Sequence, residues 1–335
     1  MPERGYIKDL DMCTMEDVPT VGGKCASLGE MRRAGLRVPP GFAVTVNTYR
    51  DFMEKSGLQE RLTEVLHAVA AVSGNGSGAT PGYQDTSEAI AKVFDSVDVP
   101  DEVRDSIVRS YRRLCDTCGG GDVLVAVRSS ATCEDSDVSS FAGQHETFLN
   151  VSGDDEVVAK TLECWQSLFS AAALHYRESE ARAGLEAEMA VAVQKMVDAK
   201  VSGVMFTVNP ITGDTSQMII EMAWGLGEAV VGGYVCPDNY IIDKETLRIV
   251  ERMIAPKLVE FVRDAESGGT VMRDVEEERQ NIPCMTDDEI AVLAGMGRAI
   301  EDYYGKPMDI EWALDAQLPM PDALLALQSR PITTL

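Results

Sequence analysis

The stretch DIEWALDAQLPMPDALLALQSRPIT, residues 309–333, reads as two alternating strands joined by a proline-broken turn. With a period of two, Asp309 and Glu311 share one face of the first strand, and Ile310 and Trp312 share the other. In LLALQSR the same alternation puts Gln328 and Arg330 on one face. Two acids, an amide and an arginine on an otherwise apolar hairpin have two explanations. The face is turned to water, or it holds a charged ligand. The hairpin alone leaves both open.

The bulk properties narrow the ligand. A chain of 335 residues has room for a substantial core and for two domains or subdomains. Its 45% hydrophobic and 25% charged residues are those of a globular protein, and no apolar run is long enough to span a membrane. The N-terminal MPERGYIKDLDM is charged and has no signal-peptide core, which leads us to expect a cytoplasmic protein. A net charge of -25 disfavours nucleic acid or an anionic membrane as partner. An anionic ligand must then be held by a few placed cations and a metal. The eight cysteines are expected as reduced thiols. Cys115 and Cys118 form a lone CxxC without the second pair or spaced histidines of a zinc site, and read as cysteines at a helix end.

Along the chain, GGKCASLGEMRRAGLRVPPGFAVT (residues 22–45) reads as a loop, a helix and an extended piece entered through Pro39 and Pro40. Residues 48–72 carry helical spacing of apolar residues, and 73–86 are a Gly/Ser-rich connector. Residues 100–118 form an amphipathic helix ending at a triple glycine. From Val123 onward short strands dominate: VLVAV, ETFLNV, MAVAVQKMV, SGVMFTVNP, MIIEMAWG and the hairpin YIIDKETLRIVERMI. Helices lie between some of them, over 154–182 and again over 286–305 just before the closing hairpin. The mix predicts an α+β fold with largely antiparallel sheets, divided near QKMVDAKVSG into residues 1–197 and 198–335.

Three glycine-bearing segments add candidate chemistry. In VGGKCASLGE, Gly22 and Gly23 allow close backbone approach and Lys24 supplies a point charge, which suits a phosphate; a tight turn before a helix would look the same. The spacing is not that of a Walker A motif. In VLVAVRSSATCEDSDVSSFAGQHETF a buried strand is read as ending in Arg128 beside Ser129, Ser130 and Thr132, an arrangement that suits a phosphate oxygen. The following acid-and-serine run and FAGQ read as a glycine-hinged flap. EMAWGLGEAVVGG has the wrong spacing for a dinucleotide fingerprint and no βαβ unit around it. The strand end VQKMV offers backbone donors and acceptors beside Met196 and Val197, as an adenine edge would. The hairpin face then suits Mg²⁺ on Asp309 and Glu311, with Gln328 and Arg330 beside ribose or phosphate.

Taken in order, GGKCASLGEM, VRSSATCEDS…SFAGQ, VQKMV, GVMFTVNP, GLGEAVVGG, DIEWA and LQSRP resemble the N-terminal nucleotide-binding domain of the phosphoenolpyruvate synthase and pyruvate phosphate dikinase family. Rifampicin phosphotransferase and the small subunit of phenylphosphate synthase look similar. The resemblance implies an ATP-grasp fold whose two subdomains grip ATP. It also implies cleavage of ATP to AMP and phosphate, with one phosphoryl group parked on a histidine. Carried over motif by motif, Lys24 and Arg128 contact phosphates, and Gly143, Gln144 and Thr147 belong to the flap over them. Gln194 and Val197 lie at the adenine, Glu311 with Asp309 holds Mg²⁺, and Gln328 and Arg330 reach the phosphates. Arg128, Arg330 and Lys24 are the catalytic candidates.

Several positions depart from the family pattern. Cys25, Cys133, His145 and Cys236 stand where other residues are usual, and none of them belongs to the charged set. None of the three histidines, His67, His145 and His175, has a phosphohistidine setting, and the barrel that takes pyruvate is missing. The implied partner is therefore a phosphohistidine-bearing, substrate-barrel subunit or domain, with this chain a natural subunit or an excised domain. Its Met1 and untagged end favour the subunit. A non-catalytic ATP-sensing subunit and the ATP-binding part of a rifampicin phosphotransferase are the alternative readings.

Overall fold

The computed structural model describes residues 5–74, 82–132, 146–179 and 187–333. The chain forms two units. One comprises Met1–Ala26 and Gly41–Gln194, the other Ser27–Pro40 and Lys195–Leu335.

The first unit contains β1 (Ile7–Asp9), most of the first half of α1 (Val18–Arg33), β2 (Gly41–Val44), α2 (Val46–Lys55), α3 (Leu58–Gly74), α4 (Tyr83–Phe94), α5 (Asp101–Thr117), β3 (Val125–Ala131), β4 (Thr147–Val151), α6 (Asp154–Ser167), α7 (Ala171–Ser179) and β5 (Met189–Lys195). Its five strands lie in the order β1-β2-β5-β3-β4. Val125, Val127, Val191 and Val193 from the sheet meet Tyr49, Phe52, Ile107, Tyr111, Trp165 and Phe169 from the helices in one core. Trp165 anchors it, stacked on Phe52 at 5.1 Å and edge-on to Tyr49 at 5.7 Å. Each such side chain stabilises the unit by roughly 1.5–3 kcal/mol through burial. In α5 the buried Val103, Ile107, Tyr111 and Leu114 recur at helical spacing, so one stripe faces this core.

Residues 48–72, read as one helical stretch, are two helices. Gly57, at φ +69°, takes the left-handed conformation that ends α2, and α3 starts immediately after it. The strand read as ending in Arg128 continues to Ala131, because Ser129 and Ser130 are buried and stay in the sheet. Arg128 thus projects from within β3.

The second unit contains β6 (Ala199–Phe206), β7 (Gln217–Trp224), α8 (Glu228–Val231), β8 (Asp238–Asp243), β9 (Ile249–Met253), β10 (Val259–Arg263), β11 (Thr270–Asp274), α9 (Glu277–Gln280), α10 (Asp287–Tyr304), β12 (Met308–Asp315) and β13 (Leu324–Pro331). Six strands form one sheet in the order β13-β12-β6-β7-β8-β9, each pair antiparallel, and β10 pairs with β11 in a separate ribbon. Met205, Ile220, Tyr240, Ile310 and Trp312 are wholly buried, and α10 packs against this sheet. The fit is close: a β-carbon on Gly297 of α10 would come within 2.5 Å of Met205 Cε. Thr286 and Glu289 cap the start of α10 reciprocally, and Gly305 in the left-handed region ends it.

The segment Ser27–Pro40 packs with the second unit through contacts very distant in sequence. Ser27 Oγ donates to Ser329 O at 2.7 Å, and Arg37 O accepts from Ala326 N at 2.8 Å. Arg37 also pairs with Asp322. At the start of β8, the wholly buried Asp238 accepts from Lys257 Nζ at 2.5 Å and from Cys284 N at 3.0 Å, pinning two linkers to the sheet. The molecule is α+β, with antiparallel sheets and flanking helices, as the sequence predicts. Among the described residues no helix is long and apolar enough to cross a membrane.

Candidate functional site

In the first unit the Gly22–Lys24 turn is built against β3. Gly22 breaks α1 at φ +74°, ψ +165°, and a β-carbon there would lie 2.1 Å from Ser130 O. Only glycine lets the two backbones approach so closely. Ser130 Oγ spans the break, donating to Val21 O at 2.9 Å and accepting from Cys25 N at 3.1 Å. It caps the restarted helix in the way an N-cap hydroxyl does, from a neighbouring strand. Lys24, 6% exposed, donates from Nζ to Ser129 O at 2.6 Å. That bond fixes the ammonium beside the strand that carries Arg128.

Across the sheet Arg128 pairs with Thr147 of β4, so those two candidates are neighbours. Gln194 is buried and lies opposite Gly41 in the β2–β5 ladder. Gly143 and Gln144 lie outside the described residues. The nearby Cys164 thiol is pushed above its ordinary range by burial, against the opposing effect of Lys24, so it stays protonated and is no nucleophile.

In the second unit the closing hairpin has the register that the alternation requires. Asp309 lies opposite Arg330 and Glu311 opposite Gln328, placing all four on one face. Arg330 Nε donates to Asp309 Oδ2 at 2.8 Å. Burial raises the Asp309 carboxyl above its usual range; Arg330 opposes the rise, and the neighbouring Glu311 adds to it. Val197, buried, stands just beyond β5.

The ladder extends this face. Glu311 pairs with Val204 of β6, Val204 with Glu221 of β7, and Glu221 with Asn239 of β8. Gln328, Glu311, Glu221 and Asn239 therefore belong to one row, and Asn239 Nδ2 donates to Glu221 Oε1 at 3.0 Å. The sequence places Glu221 on a strand but gives neither it nor Asn239 a site role. No local motif marks them, since their relation to Glu311 exists only through the register of β6. Among the described residues no group of three or more His, Cys, Asp or Glu side chains is gathered for a metal ion.

Comparison with known proteins bears on what these residues serve. Residues 18–335 match the family described as pyruvate phosphate dikinase, AMP/ATP-binding domain. A probable phosphoenolpyruvate synthase of Methanocaldococcus jannaschii is 44% identical over 330 residues, 98% of this chain and 27% of that protein. The phosphoenolpyruvate synthase of Pyrococcus furiosus is 42% identical over 361 residues, 98% of this chain and 44% of that protein. The chain thus spans less than half the length of these relatives, and its two-unit, largely antiparallel architecture agrees with the ATP-grasp fold that the resemblance implies. The chain belongs to the pyruvate phosphate dikinase AMP/ATP-binding domain family.

Proposed function

We propose that the chain is the ATP-binding phosphotransferase component of a dikinase of the phosphoenolpyruvate synthase type. ATP, water and a histidine of a separate swivelling domain or subunit give AMP, phosphate and phosphohistidine. The phosphoryl group then passes to pyruvate, or to phenol in an enzyme of the phenylphosphate synthase type. The observation that carries this reading is the in-register face of Asp309, Glu311, Gln328 and Arg330 in a chain of this family.

In this reading Lys24, held by Ser129 O, and Arg128, beside Thr147, offer cationic donors to the phosphates. Thr147, with Gly143 and Gln144, serves the flap. Gln194 and Val197 take the adenine, and Gln328 and Arg330 approach the phosphates from the hairpin. Arg128 and Arg330 stabilise charge that spreads over the transferred phosphoryl oxygens. The donor set fits Mg²⁺: two carboxylates on one face, one held up by burial and by its neighbour's charge, suit a hard cation that takes its other ligands from phosphates and water. Asp309 and Glu311 would hold it, and when bound it would neutralise phosphate charge.

The test supplies the chain with Mg²⁺, ATP and the remaining portion of the Pyrococcus furiosus relative as phosphoryl acceptor. AMP and a phosphorylated acceptor are expected. ADP as the product, or ATP bound but left intact, would contradict the proposal, the latter in favour of a sensor.

A further inference from the structure

The sequence offers Ser130, two residues after Arg128, as a hydroxyl donor to a phosphate oxygen. In the structure that hydroxyl is engaged elsewhere. Ser130 is wholly buried, and its Oγ donates to Val21 O at 2.9 Å and accepts from Cys25 N at 3.1 Å. A hydroxyl carries one proton, and Val21 O takes it, so none is left for a phosphate. In an unbroken helix Cys25 N would donate to Val21 O directly, four residues back. Gly22, at φ +74° and ψ +165°, parts the two groups, and the Ser130 hydroxyl stands between them. It serves both an acceptor and a donor that the break pulls apart.

Lys24 lies inside the span that this bridge closes. Ser130 sets its backbone, and its Nζ donates to Ser129 O at 2.6 Å. Two consecutive residues of β3 thus fix both ends of the lysine, and Arg128 directly precedes them on the same strand. We infer that Ser130 is a positioning residue for the proposed phosphate contacts: its hydroxyl, interposed between Val21 and Cys25, sets where Lys24 presents its ammonium beside Arg128 and touches no phosphate itself. The inference rests on the reading of Lys24 as a phosphate contact and adds the group that places it. Without the hydroxyl the Val21 carbonyl and the Cys25 amide lose their bridge, the turn rearranges, and the ammonium leaves its place while keeping its charge.

Calorimetric titration of ATP with Mg²⁺ into the full chain tests this through a double-mutant cycle. Ser130→Ala should weaken binding about tenfold, within the span usual for residues of one hydrogen-bonded network. In the Lys24→Met background the same change should weaken it by less than about twofold, because the lysine through which it acts is gone. Thermal unfolding checks the folding of each variant. Ser130→Cys, which fills the position with a weak donor and acceptor, takes the same place in the cycle if the alanine variant does not fold. Equal losses in both backgrounds would make Ser130 a direct ligand or a general support of the fold, and would overturn the inference. So would a lowered Tm with unchanged affinity. Lys24→Met binding as tightly as the unaltered chain overturns the role of Lys24, and the inference with it, while leaving the ATP site standing. Failure of the unaltered chain to bind ATP with Mg²⁺ overturns the site as well.

Discussion

Gly22 is the residue on which the Lys24 turn depends. At φ +74°, with Ser130 O only 2.1 Å from where a β-carbon would sit, it tolerates no side chain. Gly22→Ala should destabilise the first unit by about 2–3 kcal/mol through strain and forced separation from β3. It should also weaken ATP binding by displacing Lys24. A urea midpoint equal to that of the unaltered chain would contradict this. Glu228 makes a pH-dependent case. Its Oε2 is buried without a hydrogen-bond partner, and burial alone raises its pKa. Below the ordinary carboxylate range both folded and unfolded forms hold the proton and no penalty exists. As pH rises from about 4 towards the raised folded value, the unfolded chain loses its proton first and stability falls. Glu228→Gln should therefore gain stability relative to the native residue over that window, and a pH-independent difference would exclude the effect. At this scale the sequence was readable for Asp309, Glu311, Gln328 and Arg330, whose shared face follows from a period of two; the bond from Lys24 to Ser129 was not, since it joins residues far apart in the chain. Glu221 and Asn239 were not readable, because only the register of β6 joins them to Glu311.

Among elements, the β12–β13 hairpin was legible because each strand alternates cleanly and a period of two fixes which side chains share a face. The end of β3 was not: small hydroxyl residues after Arg128 resemble a turn, yet Ser129 and Ser130 are buried, held in place by Lys24 and the Gly22 turn. Nor does any local signal assign Ser27–Pro40 to the second unit, since its bonds reach Ser329 and Ala326 at the far end of the chain. The start of β8 offers a test of how that unit is pinned. Asp238 and Lys257 are both wholly buried, and the pair ties the linkers around Ala255 and Cys284 to the sheet. Asp238→Ala should cost about 3–5 kcal/mol by leaving a lysine buried without its counter-ion. The double substitution Asp238→Leu/Lys257→Met should recover most of that loss. Equal damage in both, followed by urea unfolding, would show that the hydrogen bonds to the linkers, rather than the charge pairing, dominate.

For the whole molecule, charge is the governing quantity. With 55 acidic and 30 basic residues the folded chain repels itself. Raising monovalent salt from about 20 mM to about 300 mM should increase Tm by a few degrees as screening shortens. A fall in Tm would mean that local ion pairs outweigh the net repulsion. The same excess of negative charge makes the few placed cations decisive for any phosphate ligand. The most direct test is calorimetric titration of ATP with Mg²⁺ into the unaltered chain, Arg128→Ala and Glu311→Ala. One nucleotide per chain is expected, with affinity reduced at least about a hundredfold in each variant, the cost of removing one partner from an enclosed charged contact. Undiminished affinity in either variant, or two independent sites per chain, would refute a single nucleotide held by the proposed residues.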